Sequence, residues 1–196
     1  MKVIGITGPT GAGKTTVLKA WGALGAEIID ADAVYHGLLE GSGEMKNALA
    51  AAFGQQILDR AGRVDRKALA AAAYPHRLGE LEELTHPAIL AAIAGRVEQA
   101  RTQGRSAAVI DAIALIESGL ARQCDAVVAV LAPKEVRIRR VMARDGIDES
   151  YARQRVAGQK EDGFYRDNSD YVLENGDSPE SFVRQAEELF GRLLAR

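Results

Sequence analysis

Residues 8–15 constrain the fold of this 196-residue chain more than any other segment. They match the pattern G-x-x-x-x-G-K-[ST] at every position, reading Gly8-Pro9-Thr10-Gly11-Ala12-Gly13-Lys14-Thr15. A short β-branched run precedes them, and an amphipathic helical stretch, Thr15–Leu24, follows. A glycine-rich turn between a strand and a helix points backbone N–H groups and the positive helix end at a polyphosphate. The segment therefore predicts a phosphate-binding loop in an α/β fold.

Each polar side chain of this loop has a predicted role in binding a nucleoside triphosphate. Lys14 supplies a positive charge between the β- and γ-phosphates, and Thr15 offers its hydroxyl to Mg²⁺. We therefore expect a nucleoside triphosphate and Mg²⁺ to bind here, with Lys14 also acting in catalysis. The residues predicted to bind the nucleotide are Gly11, Ala12, Gly13, Lys14, Thr15 and Thr16.

The rest of the chain alternates apolar strand patterns with helical ones. The predicted strands are Lys2–Ile6, Glu27–Asp30, Ala107–Asp111, Ala126–Leu131 and Tyr171–Leu173. Terminal signals predict helices that begin at Pro87 and end at Gly104, begin at Pro133 and end near Gly146, and begin at Ser178-Pro179. Strands that are apolar on both faces and alternate with helices predict a three-layer α/β/α fold around a five-stranded parallel sheet.

The longest departure from this alternation predicts an inserted subdomain. Residues 36–104 are rich in alanine and show no strand pattern, which indicates a mainly helical insertion. Residues 144–167 are highly charged and predict a mobile lid. A single kinase-like domain thus has a nucleotide-binding core made of residues 1–35, 105–143 and 168–196.

Composition excludes several other classes of protein. With 25 Lys and Arg against 27 Asp and Glu, the net charge of -2 gives no overall attraction for nucleic acid or anionic membranes. One cysteine excludes an internal disulfide, and three histidines without a Cys/His cluster exclude a structural zinc site. No apolar run is long enough to span a bilayer, and no secretion signal is evident. We expect a cytoplasmic monomer or weak homo-oligomer that acts on a small molecule.

Two aspartates follow the second predicted strand. In an open α/β sheet, ligands bind at the carboxyl ends of the strands, so Asp30-Ala31-Asp32 is expected to face the phosphate loop. On an extended chain Asp30 and Asp32 would share a face. Asp32 is the predicted base for an acceptor hydroxyl, and Asp30 is expected to bind metal-bound water or hold the loop. The alternative for either residue is a helix cap or a turn.

Asp111 ends the third predicted strand, where it would either help to hold Mg²⁺ or cap the next segment.

A basic cluster follows the fourth strand. Three of its members, Arg137, Arg140 and Arg144, are spaced to lie on one helix face with Arg139 beside them. Such a cluster suits a transferring phosphoryl group, and the alternative is a solvated basic face.

Several kinds of nucleotide-binding protein remain open at this point. The chain lacks the Asn-Lys-x-Asp motif of GTPases. A small kinase remains, acting on a nucleoside, a nucleotide or another small molecule. A protein that hydrolyses ATP slowly and reports its state to a partner is the alternative from a different class.

The ordered motifs together narrow this choice. They are Ile6-Thr7-Gly8 into the phosphate loop, Ile29-Asp30-Ala31-Asp32 with Val34 and His36, Gly62-Arg63-Val64-Asp65-Arg66 with Leu69, Leu84-Thr85-His86-Pro87-Ala88-Ile89, Leu115-Ile116-Glu117-Ser118-Gly119-Leu120, Arg140 with Arg144-Asp145, Gln159, and Asp170 to Asn175-Gly176. In this order they resemble the dephospho-coenzyme A kinase family over the whole chain.

The resemblance implies transfer of the ATP γ-phosphate to the ribose 3′-hydroxyl of dephospho-CoA, the last step of coenzyme A synthesis. Asp32 would take the hydroxyl proton, Arg140 would steady the transferred phosphate, Arg144 would be a lid partner, and Asn175 would lie near the adenine of ATP. The resemblance also implies that the helical insertion, residues 36–104, is the substrate-binding subdomain. The residues expected to bind the acceptor are Asp32, His36, His86, Leu115 and Glu117. One departure is that Ile113-Ala114-Leu115 stands where the family usually has Pro-Leu-Leu, which affects the wall of the acceptor pocket.

Overall fold

The computed structural model of the chain describes residues 1–176 and 178–195, so Asp177 and Arg196 of the expected core range 168–196 lie outside the described residues. The strands are β1 (Lys2–Thr7), β2 (Glu27–Asp30), β3 (Ala107–Asp111), β4 (Ala126–Leu131) and β5 (Tyr171–Glu174). They form one parallel sheet in the order β2-β3-β1-β4-β5. All five predicted strands are confirmed, with their ends within one residue.

Helices connect the strands and form the insertion. They are α1 (Lys14–Ala23), α2 (Ala31–Gly41), α3 (Gly43–Phe53), α4 (Arg66–Ala73), α5 (Leu78–Thr102), α6 (Lys134–Asp145), α7 (Glu149–Ala157), α8 (Asp162–Asp167) and α9 (Pro179–Leu194). The predicted signals at the ends of α6 and α9 are confirmed. Gly146 ends α6 with a φ of 64°, and the Ser178 hydroxyl accepts the N–H of Ser181 at the start of α9.

Both faces of the sheet are covered. On one face Val128 and Val130 belong to a core shared with α1 and α9, where Trp21 stacks on Phe190 at 5.3 Å between ring centroids. On the other face Ala129 and Leu131 pack against Tyr165 of α8. Neighbouring residues of one strand therefore enter different cores, and the predicted three-layer arrangement is confirmed.

The chain divides into two compact units. Met1–Ile29 together with Val97–Arg196 forms the unit that contains the sheet, and Asp30–Arg96 forms the other. The second unit has an apolar core of its own, formed by Leu39, Met45, Leu49, Phe53, Ile57, Leu69 and Ala73. An inserted helical unit is therefore present, although it starts earlier and ends earlier than the expected range of 36–104. Its part in substrate binding stays a prediction.

The prediction of a helix start at Pro87 is wrong, because α5 runs through Pro87 without a break. Proline lacks the N–H that an interior helical position needs, so the sequence rule places a boundary there. Here Leu81, Leu84 and Ala88 pack against the core of the Asp30–Arg96 unit, and this burial holds the helix on both sides of the proline. His86 thus lies inside a helix rather than at its start.

At the edge of the sheet formed by the amino-terminal ends of its strands, two aspartates each make two hydrogen bonds with the backbone of a neighbouring strand. Asp125 accepts the N–H of Val3 with its carboxylate at 2.7 Å and donates its own N–H to the Val3 carbonyl at 2.7 Å. Asp170 makes the same pair of bonds with Val127, at 2.7 and 2.9 Å. Each acid therefore extends the strand pairing by one residue.

Cys124 lies beside this edge. Its thiol donates to the Leu120 carbonyl at 3.6 Å, and its sulfur lies 3.0 Å from where a β-carbon on Gly5 would stand. Burial, and then the negative charges of Asp125 and Asp170, raise the pKa of this thiol to about 12.

In the part of the chain that the structure describes, no helix combines the length and the apolar character that crossing a bilayer requires.

Candidate active site

The phosphate loop joins β1 to α1 and requires glycine at the positions where the motif places it. Gly11 and Gly13 have φ values of 77° and 111°, in the left-handed region that a β-carbon disfavours. A β-carbon on Gly11 would also stand 2.8 Å from the carbonyl oxygen of Arg137. The loop backbone therefore packs directly against α6, and this close approach fixes its curl.

The start of α1 is shaped for an anion. Gly13, the residue before the helix, provides no side-chain cap, whereas Asp30 at the start of α2 accepts the N–H of Ala33 at 3.0 Å. The first-turn N–H groups of a helix lack partners within the helix, and its N-terminus carries partial positive charge. Lys14 adds a full positive charge, with its Nζ donating across the loop to the Gly8 carbonyl at 2.7 Å.

Arg140 and Asn175 both make hydrogen bonds to the backbone of the loop. Nη1 of Arg140 donates to the carbonyls of Gly11 and Ala12 at 3.3 and 3.4 Å, and its Nη2 donates to Oδ1 of Asn175 at 3.1 Å. Asn175 is buried and donates to the same Ala12 carbonyl at 2.8 Å. The sequence indicated neither contact. Both show how α6 and the end of β5 set the position of the loop.

The arginines of α6 have different surroundings. Arg137 is buried, with its Nη2 3.6 Å from Asp162, and Arg139 is exposed. Arg144 donates to both carboxylate oxygens of Asp145 and, at 3.4 Å, to the hydroxyl of Thr10 in the loop. Hydrogen bonding from Arg144 holds the pKa of Asp145 below its usual value. Arg139 and Arg144 are both exposed, and Arg144 is in addition paired with Asp145.

Asp30 and Asp32 differ in conformation. Asp30 caps α2, which is the helix-cap alternative given for it above. Asp32 lies exposed in the first turn of that helix. The expectation that the two share a face of an extended chain is wrong, because residues two apart on a helix point in different directions. A carboxylate in the first turn is favourable there because it faces the positive end of the helix.

Asp111 lies at the same edge of the sheet as the phosphate loop. It ends β3, and its register partner in β1 is Ile6, one residue before Thr7 and two before Gly8. Among the described residues, no group of three or more His, Cys, Asp or Glu is placed to hold a metal ion. A metal at this edge would therefore rely on Asp111, the exposed Thr15 hydroxyl and the phosphates themselves.

The Asp30–Arg96 unit contains a cavity of about 430 Å³ beside His36. Nη1 of Arg66 lies 2.8 Å from Nε2 of His36. The lining combines basic and apolar side chains and consists of Tyr35, His36, Leu39, Arg66, Lys67, Leu69, Ala70 and Leu81.

The other predicted acceptor residues are dispersed. Leu115 is fully buried and packs against Gly5, while Glu117 is exposed. Burial, and then the charge of Glu117, raise the pKa of Tyr165. Within the departure from the family pattern, Ile113 is 69% exposed and presents an apolar side chain to solvent. Asp32, His36 and His86 belong to the Asp30–Arg96 unit, whereas the loop, Asp111, Leu115, Glu117 and the arginines belong to the other.

One contact at the loop had no predicted role. Oε1 of Gln159, just after α7, accepts the N–H of Thr10 at 2.9 Å. In the sequence, Gln159 was noted only as one residue of the ordered motifs. It lies 149 positions from Thr10, and no local sequence pattern relates residues that far apart.

Comparison with known proteins agrees with this geometry. Residues 2–180 match the family model described as dephospho-CoA kinase. A dephospho-CoA kinase from Corynebacterium diphtheriae is 38% identical over 198 residues, which cover 100% of this chain and 99% of that protein.

Two solved structures are similar in fold. One, from Thermus thermophilus, has a TM-score of 0.79 at 29% identity, and the other, a dephospho-CoA kinase from Campylobacter jejuni, has 0.73 at 22%. Each alignment covers 98% of this chain and 97% of the other. The chain therefore belongs to the dephospho-CoA kinase family, and ATP is its phosphoryl donor.

Proposed function

We propose that this chain transfers the γ-phosphoryl group of ATP to the ribose 3′-hydroxyl of dephospho-CoA, which yields coenzyme A and ADP. The observation that carries the proposal is the complete phosphate loop, with an uncapped helix start and Lys14 across it, in a chain that matches the family over nearly its whole length. Backbone donors and Lys14 would bind the β- and γ-phosphates.

Magnesium fits the donors at the carboxyl edge of the sheet. The exposed Thr15 hydroxyl and the Asp111 carboxylate are hard oxygen ligands, and Mg²⁺ is commonly held by one or two such groups together with substrate phosphates and water. Thr15 would hold the ion directly and Asp111 would hold one of its waters. When bound, the ion supplies charge neutralisation at the phosphates.

On the donor side, Arg140 and Arg144 complete the positive surroundings of the phosphates. Arg140 is already fixed on the loop carbonyls, so little rearrangement is needed for it to stabilise developing charge. Arg144 contacts the loop through Thr10 and is the lid partner. Asn175 anchors the loop next to the nucleotide.

On the acceptor side, Asp32 orients the 3′-hydroxyl and takes its proton. Its exposed carboxylate begins the inserted unit directly after β2, which supports this role. The cavity beside His36 suits the rest of the substrate, because Arg66 and Lys67 can face a pyrophosphate while Leu39, Leu69 and Leu81 can face an aliphatic arm. His86, Leu115 and Glu117 complete the proposed acceptor set, with Leu115 acting through packing.

The direct test is incubation with Mg-ATP and dephospho-CoA, followed by mass spectrometry for coenzyme A. A parallel panel of nucleosides and nucleotides asks whether another acceptor is preferred. Product from a nucleoside but not from dephospho-CoA would refute the proposed substrate. ADP formation that no acceptor accelerates would indicate an ATP-hydrolysing regulator instead.

Asp32 variants test the mechanism. For Asp32→Asn and Asp32→Ala we expect kcat to fall by about 10²–10⁴-fold, with ATP binding unchanged. Equal losses indicate proton acceptance, and a much smaller loss for Asp32→Asn indicates orientation of the hydroxyl. Glu40→Gln, an exposed change on the same helix, is the control. If neither Asp32 variant loses even about tenfold, Asp32 is not at the reacting centre.

A further inference from the structure

One side chain of the lid segment, Gln159, contacts the backbone of the phosphate loop. Gln159 and Thr10 are joined by the 2.9 Å bond from the Thr10 N–H to Oε1 of Gln159. Because a backbone N–H can only donate, the oxygen of the carboxamide must face Thr10, and this fixes which way the amide is turned.

The other end of the same amide is available. Within residues 1–176 and 178–195, Nε2 of Gln159 has no hydrogen-bond partner, and the side chain is only partly buried. A carboxamide is planar, so the bond between its oxygen and the Thr10 N–H also keeps its nitrogen next to the loop. Nε2 is then a hydrogen-bond donor without a partner, and it lies beside a segment whose backbone N–H groups are suited to bind phosphate oxygens.

The position of Gln159 is well supported. The helix before it, α7, packs on α6 through Ile138, Val141, Ala152 and Val156. Thr10 is also contacted from α6, where Nη2 of Arg144 donates to its hydroxyl at 3.4 Å. Two side chains of the lid region therefore meet the same loop residue, one on its backbone and one on its hydroxyl.

The residue type also matters. A glutamate at this position could accept the Thr10 N–H equally well, but its charge would repel a polyphosphate and it would have no donor. The neutral carboxamide combines an acceptor for the loop with a donor for a phosphate oxygen.

We propose that Gln159 binds the transferred phosphoryl group of ATP, with Oε1 held by the Thr10 N–H and Nε2 donating to a γ-phosphate oxygen. The inference rests on the proposed function for the transfer itself. It requires no particular acceptor, so it can be tested by nucleotide binding alone, whether or not dephospho-CoA proves to be the substrate.

The test compares the affinities of Gln159→Ala for ATP and for ADP, by calorimetry with Mg²⁺ and without acceptor. We expect ATP to bind about tenfold more weakly and ADP to bind unchanged, because only ATP carries the γ-phosphate. Gln159→Glu should lose more ATP affinity than Gln159→Ala, since it adds a negative charge. With an acceptor present, kcat of Gln159→Ala should fall by about 10- to 100-fold.

Gln154 provides the matched control, because it is an exposed glutamine on α7 of the same lid region. Gln154→Ala and Gln154→Glu should leave both affinities and kcat unchanged. Equal losses of ATP and ADP affinity in Gln159→Ala would overturn the proposal and assign Gln159 a structural role. An ATP affinity of Gln159→Glu equal to that of the unchanged protein would overturn it too, because the acceptor alone would then suffice.

Discussion

The two edges of the same parallel sheet use charged side chains in opposite ways. At the amino-terminal edge, Asp125 and Asp170 each complete a pair of bonds with the backbone of the neighbouring strand, at 2.7–2.9 Å. At the carboxyl edge, Lys14 and Arg140 donate to carbonyls of a loop at 2.7–3.4 Å, beside a helix start that has no side-chain cap.

The difference lies in what each edge still needs. The two acids serve strand pairing, and the strand ends there are complete without a ligand. At the carboxyl edge, Lys14, Arg140, Arg144 and the first turn of α1 place hydrogen-bond donors at or beside the loop. Donors and a helix N-terminus in this arrangement favour an anion, so the same sheet has a structural role at one edge and a binding role at the other.

Lys14→Ala should show the largest difference between the two edges, because it should affect activity and not stability. We expect kcat to fall by about 10³-fold, because the charge between the phosphates is lost, while the melting temperature without nucleotide stays the same. Stopped assays for coenzyme A and thermal melts provide the measurements.

The matched control is Lys19→Ala, an exposed lysine further along α1. It should keep full activity and the full stabilisation by ATP, whereas Lys14→Ala should lose most of that stabilisation. Near-normal turnover of Lys14→Ala would remove the basis for placing phosphate binding at this edge.

Arg140→Lys should have the next largest effect, a fall in kcat of about 10- to 100-fold. Arg140 spreads two nitrogens over two carbonyls and Asn175, and a lysine keeps the charge but cannot make this forked set of bonds. Steady-state kinetics should be compared with Arg139→Lys, the exposed neighbour, which should behave normally. If Arg140→Lys is as active as that control, charge alone is sufficient there.

Asp125→Ala and Asp170→Ala should show the reverse behaviour. Each leaves a strand N–H without its carboxylate acceptor, and we expect the free energy of unfolding to fall by about 1 kcal/mol. The kcat of the folded protein should not change. Urea unfolding gives the stability, and Asp→Asn at the same positions, which keeps an acceptor oxygen, should lose much less. A large loss of kcat in either alanine variant would contradict the division between the edges.

The smallest effect concerns pH. The hydrogen bond from Arg144 lowers the pKa of Asp145 below its usual 3.8, so Asp145 stays charged above that pH and its contribution is lost only as the pH falls through the lowered value. Between about pH 5 and 8, the pH profiles of kcat for Asp145→Asn and the unchanged protein should therefore be parallel. An acid limb that disappears in Asp145→Asn would show that this pair titrates in the working range.

Much of the fold could be predicted because most of the strands contain short apolar runs and the loop motif is local. The path of α5 through Pro87 could not, since it depends on burial of Leu84 and Ala88 in a core assembled from distant segments. Local propensity favoured a boundary at the proline, and tertiary packing overrode it.

In the candidate site, too, local sequence predicted some features, while contacts between distant residues could not be predicted. The loop and its lysine were evident from spacing, whereas the contacts of Asn175 with Ala12 and of Gln159 with Thr10 join positions more than a hundred residues apart. The helical periodicity placed Arg137 and Arg140 on one face, but it could not show that Arg137 is buried near Asp162, because that depends on where α8 packs.

The surroundings of Cys124 make the single thiol a chemical marker of unfolding. Because its pKa is raised to about 12, far less of this thiol is ionised at neutral pH than in an unfolded chain, where a cysteine pKa of about 8.5 leaves a few per cent as thiolate. Because the thiolate is the species that alkylating and disulfide reagents attack, the folded protein should react with them slowly. The labelling rate should rise when the sheet opens at its amino-terminal edge, giving one unambiguous signal per molecule.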